Sequence, residues 1–331
     1  MSSLNRRSLT CWVVSDGKAG MENQCVGLAR ALGLEPVVKR VRLRTPWRQL
    51  SPFLRIGSRF AAGPGGDPIA PPWPDLLIGT GRSSIAPSLA VRKLSGGRTF
   101  TVQIQDPQIG ARHFDLVVVP NHDRLRGPNV IATRGALHHV TPAALAAAAE
   151  RFGPQLAHLP RPRVAVLVGG DNGVYRLTPD IMATLAARLA ALCERHGAGL
   201  MVTPSRRTGA ENEKVLREAL AGRPAVVWDG TGENPYFGYL GLADFVVVTC
   251  DSVSMVSEAA STGKPVYVVE LDGGSAKFRS FHEAMRADGI TRPFAGELET
   301  WSYAPLDDTA RVAEEVRHRI AAKRLAPAPA G

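Results

Sequence analysis

No stretch of this 331-residue sequence approaches the ~20 uninterrupted apolar residues that a membrane-spanning helix needs. Its four cysteines, Cys11, Cys25, Cys193 and Cys250, are widely spaced and form no CxxC pair. That pattern excludes a disulfide framework and the common zinc spacings, and it suits a reducing cytoplasm. Neither a Walker loop nor a GxGxxG fingerprint is present, which ranks a nucleotide-sugar epimerase or a dehydrogenase last. A DxD motif is missing as well, in agreement with a transfer reaction that needs no metal. The first residues, MSSLNRRSLTCWVVSDG, contain only a short apolar run ending in Ser-Asp-Gly, so they read as a first strand rather than a signal or transit peptide. The resulting expectation is a cytoplasmic protein. No repeat of about 20–50 residues marks a solenoid.

Acidic residues are scarce in one half only. The whole chain carries 40 Lys/Arg against 30 Asp/Glu, a formal net charge of +10. Residues 1–160 hold 20 basic and 9 acidic side chains, and residues 161–331 hold 20 and 21. Such asymmetry points to an anionic partner for the first half, either membrane lipid, a phosphorylated acceptor or nucleic acid. Nucleic acid is disfavoured because no recognised binding module accompanies the basic residues. Within residues 37–60, VVKRVRLRTPWRQLSPFLRIGSRF, there are seven Lys/Arg and no acid. Trp47, Leu50, Phe53, Leu54, Ile56 and Phe60 are interleaved with them. This segment suits the surface of an anionic membrane, peripheral on the inner face. It is equally an alternating strand followed by a helix that packs on the core with a basic outer face.

Hydrophobic residues at 44% and a mean hydropathy of −0.05 describe a globular chain. At this length one core does not suffice, so two domains are expected. Short apolar runs bounded by turn residues (LTCWVVSDG, PDLLIGTG, RTFTVQIQDP, FDLVVVP) alternate with helical segments (AGMENQCVGLARALG, SIAPSLAVRKL). This predicts a parallel sheet covered on both faces. GPQLAHLPRPR, residues 153–163, has three prolines and no periodicity, so it reads as a linker. The alternation then restarts with RVAVLVGG, GLMVTPS, PAVVWDG, ADFVVVTCD and KPVYVVE as strands. TPDIMATLAARLAALCERHG is a helix with Thr178 as N-cap, Pro179 at its first position and Gly197 as terminator. The expected division is an acceptor-side α/β domain at 1–155, a nucleotide-sugar-binding α/β domain at 162–305, and a helix at 306–325 packing back on the first domain. The fold class is α/β: two doubly wound, Rossmann-like domains facing a cleft. In such sheets ligands bind beyond the carboxyl ends of the strands.

Chemistry is therefore sought in the loops after each strand. In TCDSVSMVSEAASTG a strand ends at Thr249 and a helix begins near Ser252. Free N–H groups and the dipole of a helix start favour an anion, with Asp251, Ser252 and Ser254 at hand. Glu258, about two turns on, can receive two vicinal ribose hydroxyls. The plainer alternative is ordinary capping by Asp251 or Ser252, with Glu258 a solvated helix residue. LVGGDNGVY places Gly169 and Gly170 where a backbone can approach a ligand closely. MVTPSRRTG places Ser205, Arg206 and Arg207 beyond the next strand, and the planar forks of the arginines match phosphate. In WDGTGENPYFGYLGLAD, Asn234 and Tyr236 either line a base pocket or, for Tyr236, fill the core. In the first half, SDGKAGMENQ brings Lys18, Asn23 and Gln24, with Asp16 as the leading general base. Asp106 in QIQDPQ is second, His122–Asp123 is third, and GTGRSS contributes Arg82. Each of these also reads as a turn residue.

From WVVSDGKAGMENQ through QIQDP, FDLVVVPNHD and NPYFGYLGLAD to VTCDSVSMVSEAASTGKPV, the sequence resembles the elongated-mitochondria fission-protein family. The resemblance covers roughly residues 11–280. That family is similar in turn to GT-B glycosyltransferases, especially the N-acetylglucosamine transferase acting on lipid-linked peptidoglycan precursor. The resemblance implies a diphosphate held by Gly169, Gly170, Ser252 and Ser254, a ribose held by Glu258, and an acceptor half that docks on anionic membrane. The GT-B relatives carry a histidine in the first glycine loop, and SDGKAGMENQ has none. The function implied is transfer of a sugar from a nucleotide-diphosphate sugar, uridine-linked, to a lipid or cell-envelope acceptor, with no further cofactor. The alternative is a non-catalytic, membrane-associated adaptor on the same scaffold.

Overall fold

The computed structural model describes residues 9–54 and 56–325. The APAPAG end, read from the sequence as a frayed tail, and Arg55 of the basic segment lie outside the described residues. The chain forms two compact units, residues 1–139 with 307–331, and residues 140–306.

In the first unit β1 (Cys11–Ser15), β2 (Val37–Arg40), β3 (Leu76–Thr80), β4 (Phe100–Ile104), β5 (Leu116–Pro120) and β6 (Val130–Thr133) form one parallel sheet, in the order β2-β1-β3-β4-β5-β6. Every residue of β1, β3 and β4 is buried. Alternate side chains serve two cores, which is why these runs are apolar throughout. Cys11 and Val13 pack with Cys25, Leu28 and Ala29 of α1 (Ala19–Ala31). Trp12 and Val14 face the other way. α2 (Trp47–Leu50) is a single turn, and α3 (Gly81–Leu94) supplies Val91 to that second core. The alternating VVKRVRLR therefore pairs as a strand only over Val37–Arg40, with one further bridge from Leu43 to Ala62.

The second unit opens with α4 (Pro142–Phe152). Its main sheet contains β7 (Arg163–Val168). A two-residue strand β8 (Tyr175–Arg176), α5 (Pro179–His196), β9 (Gly199–Pro204), α6 (Ala210–Ala219), β10 (Ala225–Val227), α7 (Tyr236–Leu242), β11 (Phe245–Thr249), α8 (Val253–Ala260), β12 (Val266–Val269), β13 (Asp272–Gly273), α9 (Ala276–Ala287) and β14 (Thr291–Pro293) follow. The sheet order β10-β9-β7-β11-β12-β14 is parallel throughout, and β8 and β13 form a separate antiparallel pair. Counted within this unit the order is 3-2-1-4-5-6, that of a dinucleotide-binding sheet, and it reverses between β7 and β11. α5 begins as its sequence dictates. The Thr178 hydroxyl accepts the Ile181 N–H at 3.3 Å, Pro179 occupies the first position, and Gly197 closes the helix at φ +60°.

Two expectations change here. Residues 153–163 are not a linker, because Phe152, Leu156 and Leu159 are buried in the core of the second unit. α4 accordingly belongs with that unit, packed on α7, and the first unit ends at 139 rather than 155. Glycines permit the contact: a Cβ on Gly238 would lie 2.6 Å from the Phe152 ring, and one on Gly241 would lie 2.5 Å from the Leu145 carbonyl oxygen. The last helix, α10 (Asp308–Leu325), is part of the first unit. Its Val312, Ala313, Val316 and Ile320 join the α1 core, and Asp308 accepts the N–H groups of Arg134 and Gly135 at 2.8 and 2.9 Å. With these boundaries the first unit has 24 Lys/Arg against 12 Asp/Glu, and the second 16 against 18. No helix among the described residues is long and apolar enough to cross a membrane.

Candidate functional site

The switch point of the second unit brings together the loops after β7, β9 and β11. Asp251, the residue before the α8 cap, has a fully buried side chain. Its carboxylate accepts the Gly170 N–H at 3.1 Å and the Thr249 hydroxyl at 2.6 Å. Arg207 pairs with it at 2.6 Å and also donates to the Gly170 carbonyl at 3.1 Å. The Gly169 N–H donates to the Thr249 hydroxyl at 2.7 Å. Ser205 and Thr208 hydroxyls donate to the Gly169 carbonyl at 3.0 and 2.6 Å. Glycine is required at both loop positions. A Cβ on Gly169 would fall 2.2 Å from an Asp251 oxygen, and Gly170 has φ +154° with Arg207 backbone against it. Gly169, Gly170, Arg207 and Asp251 are thus brought together, but their polar groups are engaged with one another rather than held open.

What stays open lies beside this network. Val168, Thr203, Ser205, Arg206, Trp228, Asp229, Gly230, Asn234, Tyr236 and Met255 are among the residues lining a cavity of about 420 Å³. That volume falls in the range of about 300–1,000 Å³ usual for small-molecule sites. Arg206 is the one cation in the lining, and it is exposed with no carboxylate partner among the described residues. Ser252 caps α8 by accepting the Met255 N–H at 3.3 Å. The N–H groups of Val253 and Ser254 stay without a protein acceptor among the described residues, and the Ser254 side chain is half-buried. Asn234 accepts the Tyr236 N–H at 3.0 Å, starting α7.

Glu258 is not a solvated helix residue. It is buried, and its carboxylate accepts the Tyr236 hydroxyl at 2.6 Å. Burial pushes its pKa up to about 7, with the tyrosine bond working in the opposite direction. The Tyr236 hydroxyl is itself held well above its usual range, first by burial and then by Glu258. Tyr236 both lines the cavity and packs on the core. Sequence reasoning does not reach Trp228, Thr203 and Met255. The available signal for Trp228 is its place at the end of PAVVWDG, beyond the carboxyl end of β10.

In the first unit the order reverses between β1 and β3, and the loops after these strands and β4 carry the remaining candidates. Asp16 is salt-bridged to Lys18 at 2.9 Å and caps its N–H, so both belong to one exposed turn. Glu22, which is not among the sequence candidates, supports that turn. It accepts Ser15 Oγ at 2.9 Å and binds Arg40 through both oxygens, which lowers its pKa. Asn23 is exposed, and Gln24 donates to the Gly20 carbonyl at 3.3 Å. Arg82 does not face an acceptor freely: its guanidinium donates to the Ser51 carbonyl, and Ser51 Oγ returns a bond to the Arg82 carbonyl at 2.8 Å. Asp106 accepts the Gln108 N–H at 2.7 Å in a turn where Gln105 and Gln108 have φ +74° and +58°. Non-glycine residues occupy that left-handed region rarely. Asp123 is buried within its loop, where Arg126 donates to the backbone carbonyls of Asn121 and Asp123.

Two doubly wound parallel sheets in one chain, one of them with an open cavity at the carboxyl ends of its strands, define an α/β protein of the GT-B type. Solved structures with this fold include UDP-GlcNAc 2-epimerases. The Methanocaldococcus jannaschii enzyme, in complex with UDP-GlcNAc and UDP, superposes with TM-score 0.54 at 9% identity, covering 93% of this chain and 99% of that one. The Neisseria meningitidis enzyme bound to UDP-GlcNAc gives 0.51 at 13% identity, covering 98% and 96%. A model of the mitochondrial fission ELM1 family matches residues 19–320, and the chain belongs to that family. The mitochondrial fission protein ELM1 of Arabidopsis thaliana is 31% identical over 389 residues, covering 94% of this chain and 91% of its own length. Absence of a dinucleotide fingerprint does not, then, set this chain apart from the fold of nucleotide-sugar epimerases.

Proposed function

We propose that the second unit binds a uridine-linked nucleotide-diphosphate sugar and that the protein transfers its sugar to a lipid or cell-envelope acceptor. The observation that carries this reading is the open cavity at the carboxyl ends of β7, β9 and β10, with unpartnered Arg206 in its lining and the α8 start beside it. The uracil-bearing end enters between Trp228, Asn234 and Tyr236. The diphosphate meets Arg206, Ser205 and the N–H groups of Val253 and Ser254, whose charge and dipole stabilise it as a leaving group. Glu258 receives the ribose hydroxyls once Tyr236 gives up its bond. An acceptor hydroxyl attacks the anomeric carbon as the bond from that carbon to the diphosphate breaks. Asp16 and Asp106 are the carboxylates proposed to take the acceptor proton. The fold relatives solved with UDP-GlcNAc bound support the ligand class.

A second reading is an adaptor that binds nucleotide without turnover. It draws on the engagement of Gly170, Arg207 and Asp251 with one another and of Asp16 with Lys18. Calorimetric titration with UDP and GDP tests the donor site. UDP is expected to bind in the micromolar range and to lose at least about tenfold in Arg206→Ala, one charge-assisted bond. Absence of UDP binding in the wild type rejects the donor-site reading. Incubation with UDP-GlcNAc then separates the rest: change of the sugar without an acceptor identifies an epimerase, and binding without any turnover identifies an adaptor.

A further inference from the structure

Large apolar side chains are seldom exposed in clusters, and here they are. Leu50, Phe53, Ile56 and Phe60 are 51%, 68%, 86% and 54% exposed, four of the seven exposed large hydrophobic residues among those described. All four fall within residues 50–60, at and just beyond the end of α2. The segment is ordered by its own contacts rather than by burial of these side chains. Trp47 Nε1 donates to the Ile56 carbonyl at 3.2 Å, and the Trp47 ring lies against Gly57, which has φ +66° and faces Phe60 as well. Ser51, buried, ties the loop to the first turn of α3 through Arg82.

The same stretch of chain carries Arg42, Arg44, Arg48 and Arg59, all exposed and none paired with a carboxylate among the described residues. Arg59 lies over the Phe60 ring at 4.6 Å. The unit that bears them has twice as many basic as acidic side chains. We propose that residues 44–60 form a docking surface for an anionic lipid bilayer, with Leu50, Phe53, Ile56 and Phe60 entering the headgroup–acyl boundary and the arginines meeting lipid phosphates. An apolar protein partner would satisfy the four side chains but would leave these guanidinium groups without an anion. A surface of lipid phosphates satisfies both. The tie to the α3 start puts this surface beside the loop that follows β3, at the carboxyl edge of the first sheet. A lipid-borne acceptor would be presented there. None of these residues lines the cavity of the second unit, so the inference stands or falls apart from the nucleotide-sugar reading.

Sedimentation of the full chain with vesicles tests it. Partition is expected onto equimolar phosphatidylcholine–phosphatidylglycerol vesicles and much less onto phosphatidylcholine alone. Phe53→Asp with Ile56→Asp should weaken it at least about 100-fold, from two apolar side chains no longer buried. Arg48→Gln with Arg59→Gln should weaken it roughly 25-fold, about fivefold per arginine, and rising salt should mimic that loss. Thermal unfolding should be unchanged in both double variants, since every altered side chain is exposed. The proposal is overturned if the wild type ignores anionic vesicles, or if the aspartate pair binds them undiminished. It is overturned equally if the wild type forms a dimer that the aspartate pair dissolves while vesicles capture neither protein.

Discussion

Glu258 shows what one side chain can and cannot disclose. Its distance from Ser252 along TCDSVSMVSE was legible, because helix geometry alone puts it two turns beyond the cap. Its partner was not, since Tyr236 is separated from it by 22 positions and joins it only when α7 folds beside α8. The buried pair has a consequence for stability. A carboxyl with its folded pKa raised to about 7 holds its proton in the native state where the unfolded chain has released it. Stability therefore falls as pH rises from the unfolded carboxyl range through about 7, by a few kcal/mol at most. Glu258→Gln is expected to match the wild type in urea denaturation at pH 5 and to be more stable at pH 8. Gly169→Ala drives a methyl into the Asp251 carboxylate, and overpacking of this kind costs about 2 kcal/mol. Denaturant midpoints should report that loss, and UDP titration should show a weaker site.

Among the elements, those with local signals were readable and those held by partners were not. The capped helix α5 followed directly from Thr178, Pro179 and Gly197. Thr178→Ala should cost about 1 kcal/mol, visible as a lower thermal midpoint. Proline-rich 153–163 looked like a linker because nothing in its composition reports that Leu156 and Leu159 are buried. The clue was elsewhere, in the glycines of YFGYLGL, which flatten one face of α7 for α4. Gly241→Val should separate the two helices and destabilise the second unit by about 2–3 kcal/mol, measured by denaturant unfolding. In residues 37–60 the alternation suggested a longer strand than forms. Beyond Arg40 the chain turns into a loop tied to α3 through Ser51 and Arg82, an arrangement the pattern of apolar residues does not encode.

For the molecule as a whole, the charge split read along the chain becomes a property of the first unit once α10 is counted with it. That helix closes the α1 core through Val312, Val316 and Ile320. Val316→Asp places a carboxylate in that core, so calorimetry should show a lowered transition for the first unit while UDP affinity, a property of the second, is kept. Parallel, doubly buried sheets were determined by the sequence itself, because strands covered on both faces must be apolar along their length and helical spacing separates one such run from the next. So were the loops that hold the candidate site, since strand ends fix where loops lie. Which polar groups in those loops stay open was decided only by tertiary structure. Asp251 takes up Gly170 and Arg207, Tyr236 takes up Glu258, and Arg206 is left free. The physical reason is that a buried polar group must find a partner, and the partner is chosen by distance in the folded chain rather than by spacing along it.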